Sequence, residues 1–308
     1  MATPNQTVSR AEILIRPHEF NKANFVVLPP NEEQVQPKNE NDKPIKNYRM
    51  PVGYRDTDGV LKTLVIAGPR GRSFKGVGAN YSKESGDVTG YSVGINLNSN
   101  SDKSLPPTPE EQKLISVLEY FYELMKEKMV EYKREINKRD LRADTITGMC
   151  AKFIYRQLDD DGNIVPNGFI SMYAKLVARA KKLPKGQAAE YTILTPFYDL
   201  ITQEKLTQEQ LENGGSLDIT PAYRVESFFC GSKISVQMKL REAYVTVLGG
   251  GFTRILPRPE VEDIVNPMDI GNVADRINQL GITSDEKGKE KEKKKKKHHR
   301  HHHSSDSE

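Results

Sequence analysis

The chain has no tryptophan, two cysteines and six histidines in 308 residues. Each shortage excludes a class of chemistry. Cys150 and Cys230 stand far apart and make no Cys-x-x-Cys pair. Two free thiols in a reducing compartment are therefore expected, not a zinc knuckle or a redox motif. Five of the six histidines fall within His298–His303, which leaves His18 alone in the body of the chain. That removes most histidine-based metal sites and nucleophile triads. No apolar run approaches the roughly 18 residues of a membrane span. Met1 to Arg10 is polar and lacks the apolar stretch of a signal peptide. An excess of one sign of charge is also small, since 46 Lys/Arg stand against 42 Asp/Glu. Nine Lys/Arg against six Asp/Glu between Ser284 and Glu308 account for +3 of the net +4. The body is almost neutral, so affinity for a polyanion there must come from local patches and not from a global field.

Catalytic signatures are missing as well. Gly71 and Gly76 have the spacing of a phosphate-binding loop, but Val77 stands where its lysine is required. No Gly-x-Gly-x-x-Gly follows a strand, and Gly90-Tyr91-Ser92-Val93-Gly94, which has the Gly-x-Ser-x-Gly spacing, lies inside the alternating segment Thr89–Leu97 and not at a strand-to-helix elbow. Around Asp159–Gly162, Gln157 takes the first calcium-ligand position and Gly168 the place of the closing glutamate. A thiol with His18 could form a nucleophile–base pair, but buried structural thiols are the simpler reading. A metal-dependent nuclease needs a converging acidic cluster, and none is visible. No metal, cofactor or catalytic residue is assigned.

What the chain does have is alternation. Lys233 to Arg241 places Ile234, Val236, Met238 and Leu240 on one side of a strand. Lys233, Ser235, Gln237, Lys239 and Arg241 fall on the other, with no acid among them. Near Glu242 the phase slips to Ala243, Val245 and Val247, which predicts a β-bulge or bend. Cys230-Gly231-Ser232 joins this strand to Ala222–Phe229 as a hairpin, in which Phe228 and Phe229 must face opposite sides.

Short strands are also predicted at Ile13–Arg16, Phe25–Leu28, Thr89–Leu97, Cys150–Arg156, Ile164–Val177 and within Ala189–Leu200. Met50–Arg55 and Val60–Ala67 flank Asp56-Thr57-Asp58-Gly59 as a hairpin. Asp159–Asn163 is a second turn of this kind. Pro29 to Lys46 reads as a polar loop. Thr108-Pro109-Glu110-Glu111 is a capping box with proline at the first helical position. Leu114, Leu118, Phe121, Met125, Met129, Tyr132 and Ile136 follow at helical spacing, predicting one amphipathic helix of about 28 residues, roughly 42 Å long. Its apolar stripe is expected to pack on the sheet. Thr207–Glu212 reads as a helical turn, and Ile270 to Leu280 as a short final helix. From Ser284 the low-complexity sequence is expected to be disordered. The class is mostly β (α+β), and a small barrel interrupted by a helix is the architecture expected.

Binding chemistry is concentrated in three places. Gly68–Gly76 combines Arg70, Arg72 and Lys75 with Phe74 and glycines that would admit a phosphate closely. Tyr173 and Lys175 share a face of Phe169–Leu176. Lys233, Lys239 and Arg241 line the alternating strand. Phe74 and Tyr173 are the expected stacking rings, and the six cations the expected phosphate contacts of Arg70, Arg72, Lys75, Lys233, Lys239 and Arg241.

The segment Thr220–Ala243, with Phe169–Leu176 and Pro107–Lys113, resembles the single-stranded DNA-binding proteins of nucleocytoplasmic large DNA viruses, relatives of the bacteriophage T7 type. The order of the segments fits over about residues 10 to 255. A single domain over residues 1–283 is expected, ending where the low-complexity sequence begins. The resemblance implies an OB-fold with a long inserted helix, and coating of single-stranded DNA in viral replication, recombination and repair. It implies viral replication proteins as partners, a homodimer as one oligomeric option, and a location at sites of viral replication in the host cytoplasm or nucleus, or within the virion. T7-type proteins end in an acidic tail. Here Lys293–Lys297 and His298–His303 make residues 284–308 basic, and only Ser304–Glu308 is acidic. The basic tail would add nonspecific nucleic-acid affinity. A virion or scaffold protein and a metal-dependent nuclease are the alternatives.

Overall fold

Period-two segments become strands, and the long segment of period 3.6 becomes a helix. In the computed structural model, which describes residues 7–35, 44–82, 85–100, 105–181 and 190–248, the first strands are β1 (Ser9–Ile15), β2 (Phe25–Val27), β3 (Asn31–Val35), β4 (Ile45–Arg55) and β5 (Leu61–Ala67). Next come β6 (Gly71–Ser73), β7 (Val77–Tyr81) and β8 (Val88–Asn96), then the helices α1 (Pro109–Glu131) and α2 (Ile146–Met149). They are followed by β9 (Tyr155–Arg156), β10 (Ile170–Leu176), β11 (Ala178–Lys181), β12 (Glu190–Ile193) and β13 (Phe197–Asp199). The helix α3 (Gln208–Asn213) leads into the long hairpin β14 (Leu217–Cys230) and β15 (Ile234–Val247). All described residues lie within the unit Met1–Arg254. The fold is mostly β.

β14 organises the sheet because its length lets successive stretches serve different neighbours. Leu217–Ile219 pair with β6, Ala222–Val225 with β5, and Ser227–Cys230 with β4. Its other edge runs along β15. β6 pairs with β8, β8 with β10, and β10 with β15, so the pairings β14–β6–β8–β10–β15 return to β14. Only the β10–β15 pairing in this circuit is parallel. β1 lies parallel on β5 at one end of the sheet.

The inward residues of the alternating strand are buried as predicted: Ile234, Val236, Met238 and Leu240. The phase slip has a register cause. Ala222 pairs with Glu242 and Tyr223 with Leu240, which leaves Arg241 unpaired in the ladder as a bulge. That one extra residue turns Ala243 and Val245 into the core. A second irregularity skips Glu226. Phe228 and Tyr223 are fully buried, and Phe229 lies half-buried beneath the Arg49 guanidinium, 5.4 Å from its ring centroid.

The α1 stripe packs inward through Leu114, Leu118, Phe121, Met125 and Met129. Phe121 meets Phe25 with ring centroids 4.7 Å apart and Phe20 edge-on at 5.5 Å. The capping box forms in full: the Thr108 and Ser99 amides each donate to the buried Glu111 carboxylate at 2.7 Å.

Several expectations change. The helix has 23 residues, not about 28. Tyr132 caps it, and the chain then turns, which returns Ile136 to the core without helix. The expected polar loop at Pro29–Lys46 contains β3, whose Glu33 binds Arg49 of β4 at 2.7 Å. Cross-strand pairing with β4 supplies the order that an apolar pattern did not announce. Cys150–Arg156 keeps only β9 as strand, and Ala189–Leu200 holds two strands. The glycine-rich basic stretch Gly68–Gly78, which its composition reads as a loop, contains β6 and the start of β7. The predicted final helix, the boundary at residue 283 and the Lys/His-rich tail lie outside the described residues.

Candidate nucleic-acid interface

β10 presents its outer side chains at every second position. Phe169, just before the strand, Tyr173 and Lys175 are exposed, while Ser171 between them is covered. Residues two apart on a strand are roughly 6.6 Å apart, so the backbone positions that carry the two rings are about 13 Å apart. Tyr155 of β9 stands directly opposite Ser171 and reaches diagonally to Tyr173, ring centroids 5.4 Å apart and edge-on. On the other side, Tyr173 faces Gly94 of β8. A Cβ at Gly94 would lie 3.0 Å from the tyrosine ring. The missing side chain is what lets the ring lie down over β8. Gly78 and Ser92, paired across β7 and β8, continue the low surface, and Ser92 is opposite Lys175.

At the far end of this face, Phe74 packs against Phe169 with centroids 5.8 Å apart, and the Arg72 guanidinium sits 5.4 Å from the Phe74 ring. Arg72 is in register with Asn96, Ser171 and Tyr155 across β6, β8, β10 and β9. Where β10 and β15 part below their two paired residues, a groove of about 500 Å³ opens. Lys152, Tyr155, Tyr173, Lys175, Ser235 and Gln237 are among its lining residues. Among the described residues, Arg72, Lys75, Lys152, Lys175 and Lys233 enter no ion pair.

The structure thus gathers Arg72, Phe74, Tyr173 and Lys175 on one face. Lys75 follows Phe74 in an exposed turn, and Lys233 is exposed at the β14–β15 turn. The remaining candidates are paired with acids. Arg70 binds Asp218 at 2.6 Å, and Lys239 binds Glu226 at 2.9 Å. Arg241 meets the Glu12 carboxylate at 3.1 Å, and Arg224 holds the same carboxylate through Nε at 2.9 Å and through Nη2. The alternating strand carries no acid of its own. Its neighbours deliver them: Glu226 from β14 and Glu12 from β1. Partial burial alone would raise the Glu12 carboxyl, but the hydrogen bonds and charges of Arg224 and Arg241 outweigh it and hold the group below its ordinary value of 4.5.

The glycines of the Gly68–Gly76 segment do not stand open for a phosphate. A Cβ at Gly68 would strike Pro221 and Tyr223 at 2.9 Å, one at Gly71 the Asn96 carbonyl at 2.7 Å, and one at Gly76 the Gly215 carbonyl at 2.2 Å. Their close approach is to this chain's own strands, and Gly76 adds a positive φ of 62°. They shape the turn that holds out Phe74 and Lys75.

Sequence reading missed Phe169 as a ring and Tyr155 altogether. Phe169 shares parity with Tyr173, so period two could have found it. The hairpin around Asp159–Asn163 is legible in the sequence, but the register that sets Tyr155 opposite Ser171 and beside Tyr173 is not. Burial raises both thiols, Cys150 and Cys230. Among the described residues, no three His, Cys, Asp or Glu side chains group as a metal site, and no helix is long and apolar enough to cross a membrane.

A search of curated proteins finds no match to the chain. A family model matches residues 37–273, a span that contains β4 through β15 and so every ring and cation of the β10 face. The chain belongs to the family described as "Protein of unknown function (DUF2738)".

Proposed function

We propose that this chain binds single-stranded DNA without catalysis, laying the strand along the outer face of β8 and β10. The observation that carries this reading is the combination on one face of Phe169, Tyr173, Tyr155 and Phe74 with Lys175, Lys152 and Arg72, cations that enter no ion pair among the described residues. Stacked rings with unpaired cations take any base, because every base has a π-face, and each stack contributes roughly 1–3 kcal/mol.

The connectivity supports the same reading. A five-strand circuit of β6, β8, β10, β15 and β14 with one parallel pair is the arrangement of an OB-type barrel. In that assignment β8 and β10 are its second and third strands, whose face binds oligonucleotides in such barrels. The connection after β6 carries Phe74 and Lys75, and the β14–β15 turn carries Lys233. These are the two loops that flank the ligand in OB-folds. The inserted helix is α1. By the resemblance described above, the bound strand would be DNA exposed during viral replication, recombination and repair, with other replication proteins as partners.

Titration of labelled single-stranded DNA, duplex DNA and RNA tests the reading. Binding that prefers single strands and weakens in Tyr173→Ala is the expected result. Equal affinity for duplex, undiminished in that variant, sinks it.

An assembly role is the second reading. It is favoured by the apolar edge at β13, where Tyr198 and Tyr244 lie 5.7 Å apart beside exposed Leu200 and Ile201. Concentration-dependent association that Ile201→Asp abolishes, without single-strand binding, would support it instead.

A further inference from the structure

Glu12 is the one carboxylate bound by two guanidiniums, those of Arg224 and Arg241, among the described ion pairs. Two cations on one acid leave a positive charge over. The pair also has a definite place. Arg224 is in register with Lys239, Lys239 with Lys175, and Lys175 with Ser92, so the four form one row across β14, β15, β10 and β8. At about 4.8 Å per strand, Arg224 stands about 10 Å from Lys175 along that row. The row runs out of the β10 face without a break.

The acid that covers the two arginines comes from elsewhere. β1 is an edge strand on β5, and its ladder is irregular between Ser9 and Glu12, immediately before the glutamate. Thus Glu12 reaches the arginines from the least regular part of a peripheral strand. A carboxylate held by two guanidiniums through several N–H groups presents the oxygen pattern of a phosphate.

We propose that Arg224 and Arg241 form a further phosphate site for the strand on the β10 face, and that Glu12 occupies it until a backbone phosphodiester takes its place. This rests on the single-strand reading above. It predicts that DNA binding exchanges one intramolecular carboxylate for phosphate contact and loosens the start of β1.

The experiment measures the salt dependence of binding of a single-stranded oligonucleotide to the full chain and to Glu12→Gln. Because phosphate meets both arginines in either complex, the log–log slope of Glu12→Gln should stay near that of the wild type, while its affinity at fixed salt rises because no carboxylate has to be displaced. Glu204→Gln removes the same charge at an exposed residue and serves as the control. Adding Arg224→Ala and Arg241→Ala to Glu12→Gln should abolish that gain and flatten the slope by about 1.4, at roughly 0.7 per contact. An affinity no tighter than that of Glu204→Gln, or a slope unchanged after the arginines are removed, overturns the proposal. Hydrogen exchange on the unmodified protein gives a second measurement that needs no variant. The Ser9–Ile15 amides should exchange faster with DNA bound, and unchanged or slower exchange counts against displacement. Tyr173→Ala separates the two claims. If it weakens binding while Glu12→Gln does nothing, only this site fails. If neither variant changes binding, the single-strand reading fails with it.

Discussion

Two basic surfaces adjoin on this protein and differ in what compensates them. On the β14–β15 side, Arg224, Lys239 and Arg241 are met by Glu226 and Glu12. On the β10 side, Lys175, Lys152 and Arg72 meet rings, glycines and serines instead. The first is the more regular pattern in sequence and the weaker candidate in space. A strand's own residues report half of its electrostatic environment, and the strands paired with it supply the other half. Exposed ion pairs contribute only about 0–1 kcal/mol to stability, so the acids matter less for the fold than as competitors of a phosphate.

The largest way to test this contrast is to remove a ring. Tyr173→Ala should weaken single-strand binding by about 5- to 150-fold, the range of one lost stack, with little change in melting temperature because the ring is exposed. Fluorescence anisotropy with a short oligonucleotide measures it. An unaltered Kd would move the site off β10.

The cations distinguish the two faces next. Lys175→Ala should flatten the log–log salt slope by about 0.7. Lys239→Ala, already paired with Glu226, should flatten it by clearly less. Equal losses would mean that Glu226 gives way on binding, and the contrast drawn here would not hold.

A third substitution probes the opposite side of β14. The Tyr223 hydroxyl is fully buried and has no hydrogen-bond partner among the described residues. Burial strongly raises its pKa, so it stays protonated. An unsatisfied buried hydroxyl costs about 1–3 kcal/mol. Tyr223→Phe should therefore be neutral or stabilise, by up to about 2–4 °C in Tm for each kcal/mol regained, and leave DNA binding unchanged. A clear loss of stability would reveal a partner for the hydroxyl.

The smallest effect is on acid stability. The Glu12 carboxyl titrates below its ordinary 4.5 in the folded chain. Its contribution is therefore full above that value and is lost as pH falls through the lower, folded value. Between pH 5 and pH 3 the urea midpoint of the wild type should fall slightly more than that of Glu12→Gln. The reverse order would show that the two arginines do not favour the charged form.

Much of this was legible one segment at a time. The capping box at Thr108–Glu111, the stripe from Leu114 to Met129 and the alternation from Ile234 to Leu240 all appear as read, because each depends on residues within a few positions of one another. The slip near Glu242 was legible too, since a bulge must shift parity. By contrast, β3 was hidden in a polar stretch, because its order comes from pairing with β4 and not from an apolar face.

The site divides along the same line. The sequence by itself determined which residues are cations and rings, which side of each strand they take, and where the long helix starts. Tertiary structure alone decided which cations keep their charge for a partner. Glu12 reaches Arg224 and Arg241 across more than 200 positions of sequence, and Phe74 finds Phe169 through strands that separate them by nearly 100. Coulomb interactions and ring contacts act over a few ångströms of space, whatever the distance along the chain. Only the pairing of β strands sets those distances.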